Sequence, residues 1–208
     1  MPDPAQPAQP QGKRLAKPAG ALALILAGVY AVEGGYVDNP KDPGGATRYG
    51  VTEQVARQHG YSGDMKVFPR SCDVGAKVCA DQVYIADYVD RPGYMPLIGI
   101  EPAVADKLVN IAVNMGPARP NRWFRESAGV PASGLPLGAP DLAAYQMKQA
   151  RQGVTPACEA TLRYIAVKQE GEYLRLIRGN PSLATFRNGW VKRARNLHPS
   201  GIACGARP

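Results

Sequence analysis

EGGYVDNPKDPGGATRYGVT, residues 33–52, carries one Glu, two Asp, two Gly pairs and two Pro, and it follows LALILAGVYAV (22–32), which has no charge. The apolar run reads as a first helix that Gly34-Gly35 stops. Glu33 then sits at the negative end of the helix dipole beside apolar neighbours. Both effects favour the neutral acid, as a general acid near neutral pH requires. Asp42 lies nine residues on, in a Pro/Gly loop where water keeps a carboxylate ionised. One protonated acid facing one ionised carboxylate is the arrangement of glycoside hydrolysis. Thr47 can orient a water through its hydroxyl, and Tyr36 and Tyr49 can line a sugar groove. Spacing alone favours the plainer reading, a solvated loop acid and a turn residue.

Outward toward the N-terminus, residues 18–32 are uncharged and follow the basic KRLAK; residues 1–17 form a Pro-rich, basic tail expected to be disordered. A basic flank before an apolar run is the layout of a signal or membrane segment. The run has fifteen residues, below the roughly 17 to 25 of a spanning helix. It reads as a buried first helix, a cleaved signal, or a weak anchor able to leave the bilayer.

Toward the C-terminus the chain alternates helical patterns with Gly/Pro loops, so the fold class is mainly α, with a small hairpin in 35–51. Thr52 caps EQVARQH, and Asp73 is expected to start a helix reaching Val89. In PAVADKLVNIAVNM, residues 102–115, Val104, Leu108, Ile111 and Met115 form one stripe. Trp123 and Phe124 are core candidates, and DLAAYQMKQARQ is a further helix. Thr155-Pro156 reads as a cap with Pro at the first helical position. Ser182 reads as the cap of a last helix, where Trp190 beside Phe186 fits a core better than a sugar platform. That helix bears Arg187, Lys192, Arg193 and Arg195, a solvated face or a surface attracted to anionic wall polymer.

The net charge of +8 favours an anionic partner, but no nucleic-acid motif is present. The four cysteines lack C-x-x-C spacing and the two histidines lie far apart, so neither a metal nor a cofactor is expected. Two disulfides in an oxidising compartment and four buried thiols both remain open. Of the three possible pairings, Cys72 with Cys79 and Cys158 with Cys204 are favoured, because each closes a natural segment.

EGGYVDNPKDPGGATRYGVT resembles the signature of glycoside hydrolase family 108, the phage-type endolysins and their bacterial relatives. HGYSGDM, YIADYVDRPGYMPL, KLVNIAVNMGPARPNRW, GVPASGLPLGAP and NPSLATFRNGWVKRARN extend the resemblance in order. It implies a lysozyme-like helical fold and N-acetylmuramidase activity on peptidoglycan, with Glu33 as the catalytic acid. Glu33, Asp42 and Thr47 also resemble the Glu–Asp–Thr triad of T-even phage lysozymes. Asn114, in the VNMG block, joins Tyr36 and Tyr49 as a substrate-binding candidate. The chain departs from the family pattern at Asn110 and at Ser133-Gly134, where the relatives carry Asp and Asp-Gly.

The resulting organisation is a tail (1–17), an apolar helix (18–32), a muramidase region (33–120), a helical peptidoglycan-binding-like region packed on it (121–197) and a tail tethered by Cys204 (198–208). The apolar helix is similar to signal-arrest-release segments, which hold an endolysin on the inner membrane until it escapes into the periplasm. The expectation is a monomer that reaches the wall by this route, or a cytosolic enzyme released through a holin. A lytic transglycosylase and a non-catalytic wall-binding virion protein are the competing functions.

Overall fold

The computed structural model describes residues 19–31, 35–38 and 44–206, with the side chains of Ala19 and Val74 left aside. The expected disordered tail, and Glu33 and Asp42 themselves, lie outside the described residues.

Helix α1 (Ala19–Tyr30) has no charged residue. Ala21, Ile25, Leu26 and Val29 are buried on one face, while Leu24 stays half exposed. That face packs on α5 (Pro102–Met115). Twelve residues span about 18 Å, against about 30 Å of bilayer hydrocarbon. Among the described residues no helix is long and apolar enough to cross a membrane.

The expected hairpin is present. β1 (Thr47–Arg48) pairs antiparallel with β2 (Val51–Thr52), and Val37 bridges to Thr47. Tyr49 and Gly50 join the strands with φ of 53° and 75°. Two left-handed residues make the turn whose twist matches the strands; Gly adopts that conformation freely and Tyr does so at a cost. Helix α2 (Glu53–Gln58) starts where expected, with the Thr52 side chain accepting from Val55 N at 3.3 Å.

The helix expected from Asp73 begins later, as α3 (Ala80–Ile85), and continues through a π turn to Asp90. Ser71 caps a single 3-10 turn over Cys72–Val74, and Gly75 ends it at φ 77°. The Cys72–Cys79 disulfide then closes the loop, so the helical pattern cannot propagate across it. After α4 (Met95–Ile100), α5 buries Val104, Leu108 and Ile111 as its stripe predicts. In α6 (Ala118–Ala128), Trp123 and Phe124 are core residues. Then come α7 (Ala139–Gln152) and the long α8 (Val154–Gly179).

Helix α8 starts at Val154, behind Gly153 at φ 88°, rather than at a Thr155 cap. Pro156 falls in the first turn, where its missing N–H is not needed. The last helix also differs from expectation. Asn180, not Ser182, provides the cap, and a 3-10 segment (Pro181–Phe186) precedes α9 (Arg187–Arg195). Phe186 is half exposed and stacks on Trp190, which stacks on Tyr173. The pair expected in the core is thus the outer part of a surface ladder. A single hydrophobic core runs from Ala21 in α1 to Ile202 in the C-terminal tail, so the regions expected at 33–120 and 121–197 share it.

Candidate active site

The described flanks of the 33–52 stretch converge on the hairpin. Thr47 exchanges both backbone bonds with Val37, at 2.7 and 2.8 Å. Behind it, Glu53 N donates to Ala46 O and Gln54 N to Gly44 O, fixing the incoming chain on the start of α2. Gly45, at φ 76°, lies so close to Glu53 that a Cβ there would stand 3.0 Å from Oε2. Thr47 is therefore held from both sides through its backbone.

Tyr30, at the end of α1, ties that helix to the hairpin. Its hydroxyl donates to Asp81 Oδ1 at 2.6 Å. Its ring meets Tyr49 and Tyr84 edge-on, with centroids at 6.2 and 5.5 Å. Tyr84 donates to the Tyr49 carbonyl at 3.0 Å. Arg48 lies over the Tyr49 ring and Arg70 over the Tyr30 ring, at 5.1 and 5.7 Å. Burial, with the Asp81 carboxylate beside it, pushes the Tyr30 phenol far up, so it acts here as a fixed donor.

The opposite side of α1 meets the tail. A Cβ on Gly28 would stand 2.0 Å from Ser200 Oγ, so only Gly fits this contact. Ser200 gives its N–H and its hydroxyl to Asp106, at 2.9 and 2.7 Å. Gly205 N donates to Glu101 at 3.1 Å. Lys107 Nζ donates to the carbonyls of Arg193, Ala194 and Asn196, at 3.3, 2.9 and 2.8 Å. It closes the C-terminus of α9 from below, where a cation meets the negative helix end. Glu101, Asp106 and Lys107 are all buried. Burial raises both carboxyls above their ordinary values and pulls the lysine down to about 8. A disulfide from Cys158 on α8 to Cys204 fastens the tail, giving the favoured pairing in both cases.

Of the residues expected in the site, Tyr36, Thr47 and Tyr49 share the hairpin patch. Tyr36 is exposed and donates to Asp38 at 3.2 Å, whereas Tyr49 is partly buried against the core. Asn114 belongs to a different element, exposed near the end of α5, and donates to the Asn110 carbonyl at 2.7 Å. No group of side chains suited to a metal occurs among the described residues. Sequence reading missed the Tyr30–Asp81 tie, the two buried charges of α5 and buried Glu101 just before it. Asp106 and Lys107 did leave a signal: adjacent charges inside an otherwise apolar helical pattern.

Residues 26–116 match the family model described as Glycosyl hydrolase 108. The match runs from Leu26 in α1 to Gly116 behind α5 and contains the 33–52 stretch. Among solved structures, one titled "Structure of Brucella abortus SagA" is similar at 27% identity, covering 86% of this chain and 92% of that chain with a TM-score of 0.53. No curated protein matches the chain. The architecture is a mainly α, lysozyme-like fold.

Proposed function

We propose that the chain is a glycoside hydrolase, an endolysin-type N-acetylmuramidase that cuts peptidoglycan during host lysis, a reading supported by the match of residues 26–116 to the family model described as Glycosyl hydrolase 108. The observation that carries this reading is the position of the family match, which spans the whole 33–52 stretch, the C-terminal end of α1 and all of α2. Glu33 donates its proton to the glycosidic oxygen between N-acetylmuramic acid and N-acetylglucosamine. Asp42 takes a proton from the water whose oxygen attacks the anomeric carbon, with Thr47 orienting that water. The outcome is inversion if the carboxyls stand roughly 6.5 to 9.5 Å apart. The backbone bonds that hold Thr47 to Val37 support its role as a fixed point. Tyr36 offers an exposed ring to the glycan.

Export by an apolar first helix that later packs into the body is the route we favour. The uncharged α1 and the two disulfides, which persist in oxidising compartments, support it. The test of function is product identity. Purified protein is incubated with peptidoglycan and the soluble fragments are analysed by mass and reducing ends. The reading predicts reducing muramic ends. Anhydromuramic ends would identify a lytic transglycosylase, and binding without release of fragments would identify a wall-binding protein.

A further inference from the structure

A groove of about 760 Å³ lies between α1, α5 and α9, lined by Gly28, Asn110, Lys192, Arg193, Arg195 and Asn196. Its size falls within the range of specific ligand sites. The charges around it are unevenly committed. Arg195 is held by Glu170 through two hydrogen bonds, at 2.9 and 2.8 Å. Lys192 and Arg193 have no carboxylate partner among the described residues. Lys107 stands beneath them with its three donors on the backbone of α9, and the Arg193 charge adds to the burial that weakens its hold on a proton. Asp106, the carboxylate beside Lys107, is engaged by Ser200. The result is a net positive groove with a rigid floor. Asn110 contributes a carboxamide oxygen that accepts no hydrogen bond among the described residues. Rotation of the soft terminal torsion can present either end of that amide to the groove.

We propose that this groove binds the peptide stem of peptidoglycan, with Lys192 and Arg193 taking its free carboxylate and Asn110 pairing with one of its amides. The inference rests on the peptidoglycan reading and sharpens it to a peptide-bearing substrate. In intact peptidoglycan the lactyl carboxyl of each muramic acid is tied up in the amide to the stem, so the glycan backbone offers hydroxyls and acetamides and gives the two cations no partner; the stem supplies carboxylates and peptide groups together. Gly28 lines the groove, and four residues of chain separate it from Glu33.

The test uses the full chain, the Lys192→Gln/Arg193→Gln double variant and, as a charge control outside the groove, Arg187→Gln. Binding of a soluble muramyl peptide with a free C-terminal carboxylate is measured by calorimetry. In parallel, cleavage is compared between intact peptidoglycan and glycan strands stripped of peptide by an amidase, which keep a negative charge on the freed lactyl carboxylates but lose the peptide groups and the carboxylate at the end of the stem. The double variant should bind the muramyl peptide about tenfold or more weakly, and Arg187→Gln as well as wild type. Wild type should cleave peptide-bearing strands faster than stripped ones, and the double variant should lose most of that preference. Three results overturn the proposal: no muramyl-peptide binding by wild type, equal weakening by Arg187→Gln, or equal competition from dextran sulfate, which would mark a general polyanion surface. If wild type binds the peptide but cleaves neither substrate, the muramidase reading fails and the groove assignment stands.

Discussion

Helix α1 is gripped on two sides by different materials. On the hairpin side, Tyr30 meets two tyrosine rings and one carboxylate. On the tail side, Gly28 meets Ser200, behind which stand buried charges and a disulfide. The first contact is apolar and aromatic, with polar edges. The second depends on ions taken out of water and fully bonded, which is costly to assemble and costly to break. The hairpin grip can thus adjust by small shifts of rings, whereas the tail grip is close to all-or-none.

The largest effect that would break this contrast concerns Lys107. Lys107→Ala leaves the last carbonyls of α9 without their donor and Asp106 without its neighbouring cation. A loss of about 3 to 5 kcal/mol is expected in denaturant unfolding. A loss below about 1 kcal/mol would mean that the seam is not an ionic lock. The disulfides give the next comparison. Their sequence separations are 46 and 7, so loop closure assigns about 4 kcal/mol to Cys158–Cys204 and about 2 to Cys72–Cys79. The melting temperature of Cys204→Ser should therefore fall further than that of Cys72→Ser. The reverse order would place the weaker restraint on the tail.

On the other side of α1, Tyr30→Phe removes the bond to Asp81 but keeps the ring. A loss of about 1 to 2 kcal/mol is expected, smaller than for Lys107→Ala. The smallest effect is a pH dependence. Burial raises the Glu101 pKa above its ordinary 4.5. Its contribution to stability is therefore fully present below that value and is lost as pH rises through the folded pKa. Glu101→Gln escapes this loss, so its melting temperature relative to wild type should be higher at pH 7 than at pH 4.5. A pH-independent difference would show that the carboxyl carries no burial cost.

The two sides of α1 were also unequally legible in the sequence. The hairpin, the Thr52 cap and the α5 stripe follow from local rules, because each is decided within a few residues. The helix expected from Asp73 shows where such rules stop: its pattern is helical, but the Cys72–Cys79 bridge and Gly75 override it. The C-terminal partners of Glu101, Asp106 and Lys107 lie 86 to 104 residues away, beyond the reach of any spacing argument. Of the candidate site, Tyr36, Thr47 and Tyr49 fall together because they share one hairpin, while Asn114 belongs to another element. The aromatic pair Phe186 and Trp190 misled because helical spacing does not tell which face is covered.

The central proposal is that the chain is a glycoside hydrolase whose acid is Glu33. The most direct measurement is the rate of fragment release from peptidoglycan by Glu33→Gln and wild type, with melting temperatures matched as a control for folding. Loss of a general acid should slow release by about a hundredfold or more. Equal rates from the two proteins would contradict the assignment.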